Sequence, residues 1–149
     1  MPLSLLLLAL WSFCGATVAP SECPPPEVSV WRNNQPVPRG GAPFARLVRL
    51  RVRPGAGCPA TVRYAFTEAE VTPLRDGRPL MQTRHVRQAT SNLGELRPYL
   101  QPGDRIHVFI AFDKLVVVAA DGTQTPYPRP NGVAGKAQGI SFDWVLVNP

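Results

Sequence analysis

The sequence predicts an all-β domain, an antiparallel immunoglobulin-like β-sandwich with one short helix, and three observations predict it. The 149 residues include 18 Pro and 12 Gly, a composition that favours many turns over long helices. Apolar and polar residues alternate in several short runs, the period of two that buries one face of a strand and leaves the other free. Turn chemistry recurs between the runs at about the 8 to 12 residue spacing of sandwich folds, which implies about six to eight strands.

With 44% hydrophobic residues, a chain of this length buries one ordinary core. Residues 1–16 read as a signal peptide, 17–27 as a proline-rich lead-in and 28–149 as a single sandwich domain. Leu3 to Trp11 is an almost unbroken apolar run, too short for an ordinary bilayer span. It leads to the small residues Cys14, Gly15 and Ala16, as at a secretory cleavage site. Cleavage near Ala16 is expected, since cleavage after Ala19 would place Pro20 next. No Lys or Arg precedes the run, so an uncleaved anchor is the competing reading. Trp11 and Phe13 stand where a lipoprotein signal needs a Leu-like and a small residue, which argues against lipidation at Cys14. The expected location is therefore periplasmic or secreted, with no transmembrane segment after cleavage.

Export leaves Cys23 and Cys58 as a pair, and an oxidising compartment would join them. Such a staple closes a loop of about 35 residues and contributes about 3 to 4 kcal/mol. Neither cysteine has the helix N-terminus, neighbouring His or CxxC spacing that reactive or metal-binding thiols need.

Cys23 to Pro26 ends in three consecutive prolines and should be an extended lead-in. Val28, Val30 and Trp31 form the first strand candidate, closed by the polar turn Asn33 and Asn34 and followed by a loop from Gln35 to Pro43. Phe44 to Arg53 is the clearest strand of the front half. Val48, Leu50 and Val52 alternate there with Arg49, Arg51 and Arg53, so the guanidinium groups share one face. From Arg32 to Arg63 there are seven Arg and no Asp or Glu. The net charge of +6 is thus concentrated in the front half. Arg49, Arg51 and Arg53 are candidate partner-binding residues, against the simpler reading of a solvated face that discourages edge pairing.

Val62 to Thr72, extended through Leu74, reads as a further strand with Tyr64 and Phe66 on one face. Asp76 and Gly77 then form a hairpin turn of the kind that needs positive φ at both central residues. Arg78 to Ala89 returns, with Pro79 confining it to a sheet edge or to its own start. Asn92 and Glu95 are spaced as a capping box for a short helix carrying Leu93, Leu96 and Leu100. Pro102, Gly103 and Asp104 reverse the chain, with the Asp104 carboxylate expected on backbone amides two residues on.

Ile106, Val108, Ile110 and Phe112 share one face of the next strand, opposite Arg105, His107, Phe109 and Ala111. Asp113 and Lys114 turn the chain. Leu115 to Ala120 is apolar on both faces, as in a central strand covered on both sides or a strand that meets another layer. Asp121 to Thr123 turn again, and a proline-rich and then a glycine-rich passage precede the last strand, with Ile140, Phe142, Trp144 and Leu146 inward.

The order YAFTEAEVTPLRDGRPLM, SNLGELRPYLQPGDRIHVFIAF, ADGT and GISFDWVLV resembles the C-terminal β-domain of the GldM family, the gliding-motility scaffold proteins of the type IX secretion system. The resemblance spans roughly Arg63 to Val147 and is carried by Leu96, Pro102 to Arg105, Asp121 to Thr123 and Ile140 to Phe142 in that order. It implies a β-sandwich module of a periplasmic scaffold that binds protein partners, with no catalytic residues or cofactors to carry over. Read as a signal peptide and one domain, the chain is expected to lack the membrane helix, helical region and serial β-domains of that family. The lead-in, the Arg strand and the cysteine pair fall outside the matching part.

The function expected is that of an exported, non-catalytic protein-binding module of the cell envelope. The alternative is a carbohydrate-binding or adhesin-like domain, with Trp31, Tyr99 or Tyr127 as stacking platforms for a polysaccharide, although Tyr127, flanked by Pro126 and Pro128, is read first as packing a rigid loop against the sandwich. His85 and His107 are the only histidines, and no HExxH, GxSxG or paired-cysteine spacing surrounds them. A triad of His107, Asp104 and Ser141, or a carboxylate pair of Glu68 and Glu70, can be assembled on paper, but neither has a motif behind it. No cofactor, metal or catalytic residue is assigned. Nucleic acid is not expected, because the chain is read as exported and has no recognition motif.

Overall fold

Strand β1 (Glu27–Arg32) turns into the two-residue β2 (Gln35–Pro36) through Asn33 and Asn34, at φ 46° and 59°. Asn tolerates this left-handed conformation better than most residues, and two in succession make the tight hairpin turn that matches strand twist. The computed structural model describes residues 23–59, 61–129 and 138–148. The predicted signal peptide, the lead-in up to residue 22 and most of the glycine-rich passage lie outside the described residues.

β3 (Leu47–Arg53) pairs antiparallel with β1, placing Ser29 opposite Arg51 and Trp31 opposite Arg49. Its other edge takes the short β8 (Thr90–Asn92), so one sheet has the order β2-β1-β3-β8. The second layer has the order β12-β9-β5-β6, formed by β12 (Gly139–Val145), β9 (Arg105–Ala111), β5 (Ala69–Arg75) and β6 (Arg78–Pro79). β7 (Arg84–Val86) also pairs with β5. Strands β1, β3 and β8 opposite β12, β9 and β5 match the A-B-E and G-F-C order of an immunoglobulin-like sandwich. A third small sheet, β11-β10-β4, joins β11 (Gln124–Pro126), β10 (Leu115–Val118) and β4 (Arg63–Phe66).

The core follows the predicted alternation. Val28, Val30, Val48 and Leu50 of one layer are buried in the same cluster as Val71, Ile106, Val108, Ile110, Ile140, Phe142 and Trp144 of the other. The Trp144 indole is fully buried, and its Nε1–H donates to the Ala42 carbonyl at 3.0 Å, which satisfies the one polar atom of the ring. Phe44 stacks on it with ring centroids 6.1 Å apart. Tyr127, Tyr64 and Phe112 form a second aromatic group. Burial raises the pKa of both phenols there, and the Tyr64 hydroxyl has no hydrogen-bond partner among the described residues.

Cys23 and Cys58 form the expected disulfide, with Cα atoms 5.4 Å apart. It draws the lead-in against the loop after β3, where Gly55 leaves no room for a Cβ: one would sit 2.8 Å from the Pro25 carbonyl oxygen.

Several local expectations are corrected. The run from Val62 to Leu74 is two strands, not one: β4 pairs with β10 and β5 pairs with β9, with the break at Thr67 and Glu68. The short helix is a 3-10 turn (Gly94–Tyr99) after Leu93, with no side-chain cap. The Asn92 carboxamide oxygen instead accepts from the Gly94 N–H at 2.9 Å, and Glu95 leaves the turn to pair with Arg84 at 3.1 Å. The Pro98 ring inside the turn limits its extension, since Pro has no N–H to continue a ladder. β10 is central in its small sheet, but Val116 to Val118 are half-buried, not covered on both sides. Asp104 is an interior residue; its carboxylate accepts from the Gln101 N–H three residues back, not from amides ahead.

Candidate functional site

The period of two along β3 puts Leu47, Arg49, Arg51 and Arg53 on the outer face, because Val48 and Leu50 are held in the core. Pairing with β1 brings Trp31 beneath them. The Arg51 guanidinium carbon lies 4.2 Å from the indole ring centre and that of Arg53 lies 4.9 Å from it. Such contacts hold a cation over the negative face of the ring. The Trp31 Nε1–H donates to Ser29 Oγ at 3.1 Å, and the Ser29 hydroxyl donates to the Arg51 carbonyl at 3.3 Å. The platform is thereby tied to the backbone of the strand that carries the arginines.

The seven arginines of the front half differ in what they are bonded to. Arg32 donates to the Pro43 carbonyl, Arg46 to Asn92 and Arg63 to the Ala119 carbonyl. Arg39 lies over the Phe142 ring. Arg49, Arg51 and Arg53 have neither a hydrogen bond nor an ion pair from their guanidinium groups among the described residues. Even Glu27, directly opposite Arg53 in the ladder, is not paired with it among the described residues. Their N–H donors are left to water or to a ligand. Leu47, 60% exposed, continues the same face, beside a groove lined by Trp31, Asn33, Asn34 and Thr90. Sequence reasoning missed Leu47 and the seat that Trp31 provides. The alternation was a signal for the first; the second depends on which strand pairs with β3.

The triad drawn from the sequence comes apart. Asp104 is bonded bidentately to Arg75, with both distances 2.8 Å. His107 Nδ1 lies 2.9 Å from Asp143 Oδ1 on the outer face of the second layer. Ser141 stands opposite Phe109, so the paper triad is not assembled around Asp104. Glu68 binds Arg87 at 3.1 Å and His85 at 3.2 Å; the hydrogen bond from Arg87 is the main cause that holds its carboxyl below the usual range. Among the described residues no three His, Cys, Asp or Glu side chains converge in a way that could hold a metal ion. Of the aromatic platforms, Tyr127 is buried, Trp31 carries the two guanidinium groups, and Tyr99 is 59% exposed. No described helix is long and apolar enough to cross a membrane. Comparisons with protein-family models, curated proteins and solved structures return no match to this chain.

Proposed function

We propose that this protein is an exported, non-catalytic β-sandwich that binds an acidic protein partner at the cell envelope through the outer face of β3. The observation that carries the reading is the set of three arginines, Arg49, Arg51 and Arg53, with two of their guanidinium groups seated on Trp31 and none hydrogen-bonded among the described residues. A solvated face needs no such seat. Burying a cation-lined surface against acids gives both steering and register to a complex. The disulfide supports an oxidising compartment. A two-layer sandwich built from β1 to β12 is the fold expected of a scaffold-type adaptor of the gliding-motility kind, with most of the first layer contributed by strands that precede the resembling part.

The test is to reverse all three residues to Glu and to capture partners from envelope extract with crosslinking. Capture is expected to fall to background, with the fold retained because the substituted side chains lie on the outer face. The thermal unfolding temperature should be modestly lowered by the loss of the Trp31 contacts and by the carboxylate set opposite Glu27. Undiminished capture would sink the reading.

A further inference from the structure

Resting on that docking reading, we infer what the β3 face takes: an extended acidic peptide whose carboxylates fall on alternate residues and are flanked, two positions away, by an apolar side chain. Successive outward residues of a strand are about 6.7 Å apart, so Leu47, Arg49, Arg51 and Arg53 form a ruled line of one apolar and three cationic groups. An extended peptide laid along that line has the same repeat. Acids at alternate positions all face the arginines, whereas acids in an unbroken run turn every second carboxylate away.

The line is stiff. With Arg51 and Arg53 held over Trp31 at 4.2 and 4.9 Å, less side-chain freedom is lost when a carboxylate docks. Leu47 lies at the end of the line, beside the groove where Asn33, Asn34 and Thr90 offer amide and hydroxyl groups to a peptide backbone. A sugar ring would need an open aromatic face, and the guanidinium groups occupy that of Trp31. The β3 face therefore favours a peptide over a polysaccharide.

The experiment uses the full chain and two fluorescein-labelled heptapeptides of identical composition, three Glu, three Ser and one Leu. One has Glu at alternate positions ending in Leu; the other has its Glu residues consecutive. By fluorescence anisotropy at physiological salt the alternating peptide is expected to bind about tenfold tighter than the block peptide. Arg51→Gln should cost the alternating peptide about tenfold, and Leu47→Ser a smaller loss that disappears when the Leu of the alternating peptide is replaced by Ser. Trp31→Ser should narrow the gap between the two peptides, since a loosened line reads charge without spacing. Equal binding of both peptides overturns the spacing inference and leaves docking standing. So does absence of peptide binding in a protein whose envelope capture is still lost on triple reversal. Tighter binding of dextran sulfate than of either peptide overturns the peptide in favour of a polysaccharide. Absence of peptide binding together with capture that survives reversal removes both readings.

Discussion

Asp104 is 3% exposed, yet it is charged, and its carboxylate is satisfied by Arg75 through two 2.8 Å bonds and by the Gln101 N–H at 2.7 Å. Arg75 also donates to the Tyr99 carbonyl at 3.2 Å, so one guanidinium ties the β5 end to the 3-10 turn and to the start of β9. The hydrogen bonds from Arg75, ahead of the backbone bond from Gln101, hold the Asp104 pKa below its ordinary value. A carboxyl whose folded pKa is depressed contributes stability above the unfolded pKa, and that contribution is lost as pH falls through the folded value. The protein should therefore lose stability below about pH 4, and Asp104→Asn should flatten that acid limb. Asp104→Ala leaves Arg75 without its partner. It should cost about 2 to 3 kcal/mol at neutral pH, toward the lower end because the Arg75 side chain is 38% exposed and keeps part of its hydration. Urea unfolding of the three proteins between pH 3 and 7 checks both expectations, and parallel acid limbs for parent and Asp104→Asn would contradict the first.

Strand pairs show where short-range chemistry decides and where it does not. Asp76 and Gly77, at φ 49° and 76°, make the hairpin from β5 to β6 that an Asp-Gly pair favours, and Pro79 lies on the short return strand at that sheet edge. At Asn92 the local pattern misleads, because its strand is already committed to β3 and its side-chain oxygen accepts from the Gly94 N–H and from Arg46 instead of forming a capping box. Gly139 opens β12 opposite Ala111, where a Cβ would fall on the Ile110 carbonyl oxygen of β9. Backbone cannot retreat as a side-chain tip can. Gly139→Ala should therefore shift the start of the last strand and cost about 2 kcal/mol. A denaturant midpoint equal to that of the parent would show that β12 re-registers without loss.

Across the whole molecule, charge and cross-linking are unevenly placed. The net charge of +6 is expressed most clearly on the outer face of the first layer, whereas the outer face of the second mixes Glu68, Glu70 and Asp143 with His85, Arg87 and Arg105. Partner capture should accordingly weaken with salt as the Debye length shrinks below the spacing of the charges. The disulfide closes a 35-residue separation that contains β1, β2 and β3, the whole of the docking layer except β8. Replacing both Cys23 and Cys58 by Ser should lower stability by about 3 kcal/mol, read from chemical unfolding with and without reductant. A reductant effect of similar size in the double variant would show that the loss has another source.

By itself the sequence determined the class of fold, the inward faces of β3, β9 and β12, the Asp76 and Gly77 turn, and the shared face of Arg49, Arg51 and Arg53. These depend on alternation and on residues within a few positions of one another, and they survive any choice of partner strand. Only the tertiary structure decided that the run from Val62 to Leu74 is divided between sheets, that Asp104 belongs to Arg75, and that Trp31 lies under two arginines. Each depends on which distant segments are brought together and in what register. No local pattern encodes the 22-residue offset between Ser29 and Arg51 that makes a row of charges into a seated one.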